Sequence, residues 1–338
     1  MSPRRKDRRL VVLESFAKPR PDSNAYPELL FHSLPKEIDP VYFSWRAALF
    51  GRIDVFHCHW PELLIRSRHG PFRWIKRALF LLFMLRLALG RIPVVRTLHN
   101  IRSHEPESAL ERILLGILDA KVAGYIRLNS ITPLPRPVPV ETILHGHYQD
   151  VLKAFPKSAP APGRLLAFGL IRKYKGLVRL AQAFSDIPDP SLRLRILGQP
   201  IDEETVAALR ERARKDPRIE VVAAHVEEAE LVREVSEAVL VVLPYPEFHN
   251  SGVALYALSL ARPILVPENL VTLARREEVG EAWVHLFRGD LGPADLAATV
   301  SRIGRCPPQG MPALGERNWE RLGQSHARFF EQVSRRKA

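Results

Sequence analysis

The chain has 338 residues, 46% of them hydrophobic, which excludes a disordered protein and supplies cores for about two domains of ordinary size. The formal charge is +13, and residues 1–100 alone hold eighteen Lys and Arg against eight Asp and Glu, so an anionic partner is expected, either nucleic acid or an anionic membrane face. Two distant cysteines, Cys58 and Cys306, exclude a disulfide framework and a structural cysteine–zinc site and fit a reducing, cytosolic setting.

In chain order, the first expected element is a strand over residues 10–14, directly after MSPRRKDRR, a start without a secretory pattern. Pro19, Pro21 and the Asp22-Ser23-Asn24 cluster hold the next stretch as loop, and a helix is expected from about Pro27, where proline fits a first turn. A second strand is expected over 41–43. IDVFHCHWPE predicts a strand over 53–57 with His59, Trp60 and Glu62 at its carboxyl end. Residues 71–91 read as a helix that joins Arg73, Lys76 and Arg77 to a tryptophan and an apolar run. That run, 78–85, is far shorter than the about 20 residues a membrane span needs. The helix suits either a bilayer surface or a core with a basic edge. IPVVRTLHNIRSHE repeats the pattern, a strand over 93–98 followed by His99, Asn100, His104 and Glu105. A helix over about 107–118 and strands over 124–129 and 141–144 complete a Rossmann-like sheet.

Residues 156–163, PKSAPAPG, read as a semi-rigid linker. Domain boundaries are therefore expected at 1–155 and 164–315, with a tail over 316–338. The second domain alternates strands (165–168, 192–197, 219–223, 239–243, 263–266) with helices (177–184, 203–215, 227–237, 253–260), which means a parallel sheet wrapped by helices. The tail is an amphipathic helix with Trp319, Phe329 and Phe330, expected to cross back onto the first domain. The fold class is α/β, two Rossmann-like doubly wound domains. No internal repeat is visible.

Two turns of the second domain carry chemistry. The strand 165–168 ends at Gly169, and Arg172 and Lys175 stand at the mouth of the following helix. Cations there oppose the helix dipole unless an anion is present, so they read as an anion site, against the alternative of ordinary exposed charges. The strand 239–243 empties into 244–250, after which Ser251-Gly252 opens a helix whose N–H groups suit phosphate. Ser251 serves equally as a plain N-cap. Both turns lie at carboxyl ends of strands, where open sheets of this class hold nucleotides.

The order of these units, with ILHGHY (143–148), FGLIRKYKG (168–176), ILG (196–198) and SGVALYALSLARPIL (251–265), resembles nucleotide-sugar-dependent glycosyltransferases of the two-Rossmann, GT-B type over nearly the whole chain. HCHWPE, LHNIRSHE and HNSGVALYALSLARPILVPE are similar to bacterial exopolysaccharide glycosyltransferases, particularly the GDP-mannose:glycolipid β-mannosyltransferase group. The resemblance implies that Arg172 and Lys175, beside Gly169, bind the donor diphosphate, and that His249, Asn250, Ser251 and Gly252 lie at the diphosphate or donor sugar. The family's paired glutamates fall at His249 and Tyr256, a departure, so the ribose contact is expected from Glu268 or from the 221–226 region.

Such a transfer needs stabilisation of the leaving diphosphate, which Arg172, Lys175 and the Ser251-Gly252 amides supply without a metal or other cofactor, and, if the anomeric centre inverts, a base. Glu62 is the first candidate base, His99 the second and Asp22 the third; Asn24, Trp60 and His104 are the acceptor-side candidates. The plainer alternatives are a helix-start carboxylate for Glu62, a structural histidine for His99 and a core aromatic for Trp60. No metal is expected at His57, His59, His99 and His104, on the reading that His57 and His59 face opposite sides of their strand.

The expected function is transfer of a sugar, mannose from GDP-mannose first and a UDP-sugar second, onto a lipid-linked saccharide in exopolysaccharide or glycolipid synthesis. Partners are the nucleotide-sugar donor, that acceptor and an anionic membrane surface at the cytoplasmic side, with no nucleic acid. The alternatives are a GT-B-fold epimerase and a non-enzymatic nucleic-acid-binding protein.

Overall fold

The computed structural model describes residues 8–19, 25–67, 70–100 and 108–335. The chain forms two compact units, one of Met1–Gly146 with Arg317–Ala338 and one of His147–Glu316, each built on a sheet of six parallel strands.

The first unit runs β1 (Leu10–Glu14), α1 (Tyr26–Ser33), β2 (Ile38–Val41), α2 (Trp45–Phe50), β3 (Val55–Cys58), α3 (Glu62–Ile65), α4 (Gly70–Leu89), β4 (Val94–Leu98), α5 (Ala109–Lys121), β5 (Val122–Arg127) and β6 (Val140–Thr142). Helix starts follow local chemistry: Ser44 Oγ accepts from Ala47 N at 3.1 Å ahead of α2, and Ser108 with Glu111 forms a capping box for α5. Strand side chains alternate between two cores. Leu13, Phe56, Cys58 and Val94 lie among α2–α5, while Val12, Val55 and Val95 face the opposite layer with Tyr26 and Leu30. Sheet order is β2-β1-β3-β4-β5-β6, so the winding reverses between β1 and β3, the place where open sheets bind ligands.

The second unit runs α6 (Gln149–Leu152), β7 (Arg164–Phe168), α7 (Leu177–Ser185), β8 (Arg193–Leu197), α8 (Glu203–Lys215), β9 (Ile219–Val222), α9 (Glu228–Glu237), β10 (Leu240–Val242), α10 (Gly252–Ser259), β11 (Ile264–Pro267), α11 (Leu270–Val279), β12 (Val284–Phe287) and α12 (Pro293–Arg305). Its order, β12-β11-β10-β7-β8-β9, places the reversal between β7 and β10. Residues 156–163 belong to this unit, where Ala161 N donates to Glu237 O at 2.8 Å.

After a 3-10 turn at Gly315–Arg317, the helix α13 (Trp319–Arg335) returns to the first unit. Its apolar face, Trp319, Leu322, Phe329, Phe330 and Val333, joins the core that holds Tyr26 and Val12. Small residues let it approach: a Cβ on Gly323 would collide with the Ser33 carbonyl of α1, and one on Gly146 with the Trp319 ring.

The strand expected over 41–43 forms instead at Ile38–Val41, because Phe43 N leaves the sheet to donate to Phe16 O at 2.9 Å. Helices α2, α11 and α12 and strand β12 were not anticipated in the sequence. α2 and β12 are short, whereas α12 was a missed signal, since Leu296, Val300 and Ile303 recur at helical spacing behind Pro293 in its first turn.

Candidate functional site

In the second unit the two turns singled out in the sequence lie side by side. β7 and β10 pair directly. Gly169, at φ 100° just past β7, sits between the Lys175 ammonium and the Val253 side chain at the start of α10: a Cβ there would lie 3.1 Å from Lys175 Nζ and 3.3 Å from Val253 Cγ2. Gly176, at φ 64°, packs so closely on the Pro244 carbonyl that only glycine fits. Lys175 is therefore not an exposed helix-start charge. It lies in a one-turn 3-10 helix, Lys173–Lys175, buried at 7% exposure with Nζ 5.0 Å above the Tyr245 ring. Burial and the Arg172 guanidinium push its pKa down to about 8. Arg172 Nε is itself buried without a hydrogen-bond partner among the described residues. A buried ammonium beside a guanidinium with an unmatched N–H fits an anion that brings oxygens to them.

Ser251 is the N-cap of α10, its Oγ accepting from Ala254 N at 3.2 Å. His249 and Asn250 are half-buried ahead of it; burial lowers the His249 pKa. Tyr256, where the family's second glutamate falls, donates its hydroxyl to Glu228 Oε1 at 2.9 Å and packs on Phe168 at 5.5 Å. A carboxylate thus reaches this edge from α9, just beyond the 221–226 region. Glu268, at the end of β11, accepts from Arg288 Nε at 2.9 Å.

The first unit concentrates its polar groups at its own reversal point. Glu14, at the end of β1, is 0% exposed and receives two rings: His57 Nδ1 at 3.0 Å and His59 Nε2 at 3.1 Å. The Thr97 hydroxyl lies 2.8 Å from His57 Nε2, and His99 Nε2 lies 2.9 Å from His59 Nδ1. Burial pushes the Glu14 carboxyl up and the rings down, His57 to about 3 and His59 to about 4. Burial, with His59, His145 and His57 adding, also holds His99 well below the ordinary imidazole range. All three rings are accordingly neutral near pH 7. The expectation that His57 and His59 face opposite sides is corrected: residues two apart along a strand share a face, and both meet one carboxylate. Their donor atoms and that of Glu14 lie within 4.8 Å of one another, a set able to hold a cation, but in this structure hydrogen bonds fix each of them.

Around this cluster, Trp60 stacks on His99 at 4.3 Å and Tyr26 meets the same ring edge-on at 5.1 Å. Trp60 thus already spends one face on His99. Glu62 opens α3 with Pro61 as N-cap, half-buried, in the position where a carboxylate suits a helix start. Asp22, Asn24 and His104 lie outside the described residues. The sequence reading passed over Glu14, although a glutamate ending the apolar run LVVLE was a usable signal; it also passed over Tyr26 and Glu228.

No protein-family model matches the chain. It is 43% identical over 322 residues to the GDP-mannose:glycolipid 4-β-D-mannosyltransferase of Xanthomonas campestris pv. campestris, covering 95% of this chain and 92% of the relative. Among solved structures it resembles sucrose-phosphate synthase from Thermosynechococcus elongatus (TM-score 0.64, 14% identity, 96% of this chain and 99% of that one). It also resembles Anabaena HepE in complex with UDP (TM-score 0.59, 13% identity, 97% and 98%). At those identities the likeness is one of fold, the two-Rossmann glycosyltransferase architecture.

Proposed function

The chain belongs to the GDP-mannose:glycolipid 4-β-D-mannosyltransferase family and is a glycosyltransferase, and on that premise we propose that it moves mannose from GDP-mannose to a lipid-linked saccharide, in exopolysaccharide or glycolipid synthesis. The observation that carries this reading is near-full-length identity with the mannosyltransferase. The epimerase and nucleic-acid readings find no support in these relatives.

In this reading the second unit binds the donor. Arg172, Lys175 and the amides that open α10 take the diphosphate, with His249 and Asn250 beside the sugar and Glu228 and Glu268 as the carboxylates offered to the ribose. Positive groups already in place stabilise the charge that develops on the departing GDP without reorganising. GDP-mannose is α-linked and the relative's product is β, so the displacement inverts the anomeric centre and the acceptor hydroxyl needs a base from the first unit. We assign that role to His99 ahead of Glu62, because the His99 ring is neutral and held in place by hydrogen bonds, whereas Glu62 has a sufficient role at the start of α3. Asn24, Trp60 and His104 belong to the acceptor side. The test is thermal stabilisation by GDP, UDP, dTDP and ADP, followed by transfer assays with and without EDTA. GDP should stabilise most, and mannose should reach a glycolipid acceptor with EDTA present. Stabilisation by UDP alone would remove the GDP assignment.

The acceptor's lipid calls for a membrane surface. Among the described residues no helix is long and apolar enough to cross a membrane. α4 has one covered and one open face: Phe80, Phe83, Met84 and Leu87 are core, while the outer face exposes Trp74 (61%), Leu85 (54%) and Leu89 (77%), with Phe50 of α2 also open (83%). Arg86 donates to Ala48 O at 2.5 Å and so pins α2 to α4; Arg46, Arg73 and Arg91 remain exposed. An apolar face with basic flanks fits an anionic bilayer at its cytoplasmic side. Sedimentation with anionic and neutral vesicles checks this. Binding should need the anionic lipid, weaken in salt and drop several-fold in a Trp74→Ser, Leu85→Ser, Leu89→Ser variant; an unchanged variant would place the contact elsewhere.

A further inference from the structure

The ionisation state of Glu14 decides the proton positions of its neighbours. An ionised carboxylate only accepts hydrogen bonds, so with Glu14 ionised both rings that meet it donate, His57 through Nδ1 and His59 through Nε2. A neutral imidazole has one donor and one acceptor. His57 Nε2 is then the acceptor for the Thr97 hydroxyl, and His59 Nδ1 is the acceptor for His99 Nε2–H. In that state the His99 Nε2 proton is committed to His59, and Nδ1 is the ring atom that would take a further proton. Ser15 Oγ, accepting from the His59 backbone N at 2.9 Å, and the T-shaped contact of Phe330 on His57 at 4.9 Å hold the two β3-side rings in register.

We propose that Glu14 is ionised in the resting state and, acting through His59, is a positioning residue that holds His99 in the tautomer able to accept the acceptor hydroxyl's proton and receives the proton relayed from it. This rests on His99 being the proton acceptor. The balance is as follows. The acceptor oxygen bonds to the anomeric carbon, and the bond from that carbon to the diphosphate oxygen breaks, its electron pair leaving with GDP. The hydroxyl proton passes to His99 Nδ1. The proton on His99 Nε2 moves to His59 Nδ1, and the one on His59 Nε2 moves to Glu14 Oε2. Two neutral rings and a neutral carboxylic acid remain, and loss of one proton to water resets the chain.

The test uses the full-length protein, with kcat, KM for GDP-mannose, GDP affinity and the pH profile of kcat/KM measured for Glu14→Gln, Glu14→Asp, His59→Gln and His99→Gln. Glu14→Gln should lower kcat about 10²-fold or more, within the range known for loss of a histidine's orienting carboxylate, with GDP affinity unchanged. Its acid limb should move to lower pH, because loss of the negative charge lowers the basicity of the rings. Glu14→Asp, which keeps the charge, should return the limb to its wild-type position. His59→Gln should match the loss in kcat, and it carries the test if Glu14→Gln does not fold. Wild-type kcat in Glu14→Gln, or a lowered kcat with the acid limb unmoved, overturns the proposal. Transfer retained by His99→Gln removes the base reading and this inference with it. An inactive His99→Gln beside a fully active Glu14→Gln leaves the base reading standing and sinks the relay alone. Activity lost on chelation and restored by zinc would also overturn it, since a bound cation would displace the protons on which the tautomers depend.

Discussion

Burial and the neighbouring Arg172 guanidinium take Lys175 from 10.5 to about 8, which at 1.36 kcal/mol per unit corresponds to about 3 kcal/mol of destabilisation in the ligand-free chain. The sign follows from linkage. The folded chain holds this proton less tightly than the unfolded one, so the penalty is full below about pH 8 and fades as pH rises from 8 toward 10.5. A diphosphate reverses the shift by favouring the ammonium. GDP affinity should therefore fall by about tenfold between about pH 7.5 and 9.5, as Lys175 loses its proton in the free site but not in the occupied one. Lys175→Met should flatten that dependence, weaken GDP binding throughout and raise the unfolding temperature of the ligand-free protein. Titration calorimetry across this range decides the point: a wild-type affinity that does not change with pH would mean that Lys175 does not touch the phosphates.

At the scale of elements, α13 is fitted to the first unit by close packing. Gly323 brings it against the α1 carbonyl of Ser33 and Gly146 receives the Trp319 ring, contacts that leave no space for a methyl group. Gly323→Ala should destabilise the first unit by about 1–3 kcal/mol, the usual range for overpacking, and leave GDP affinity at its wild-type value. Denaturant unfolding with GDP titration checks both halves, and unaltered stability would show that α13 can slide to accommodate the methyl. The helix itself was legible in advance, since Trp319, Phe329 and Phe330 fall on one face. α4 was legible only as a choice between core and membrane face. Periodicity reports that a helix has an apolar stripe, but here apolar residues continue around it, and only packing separates Phe80 and Phe83, which are fully covered, from Leu82 and Leu85, which are not.

Over the whole molecule, legibility depended on how far apart in sequence the contributing residues stand. The adjoining turns of the second unit could be read because Gly169, Arg172, Lys175 and the Ser251 cap each declare themselves within a few residues of a buried strand. The network around Glu14 could not, because Glu14, His57 with His59, and Thr97 with His99 come from three strands joined by parallel register, and register is not written in any local stretch. The first unit adds a discontinuity of the same kind: its sheet is built from residues near the start of the chain and roofed by the last helix. During synthesis, residues 147–316 emerge before that roof does. Until α13 arrives, the layer holding Val12, Val55, Glu14 and His57 stands open to water, without the dry surroundings that keep the imidazoles neutral. The second unit can thus fold on a nascent chain while the first waits for residues 317–335, and removal of α13 would strip the imidazole chain of its cover while leaving the turns around Gly169 and Ser251 whole.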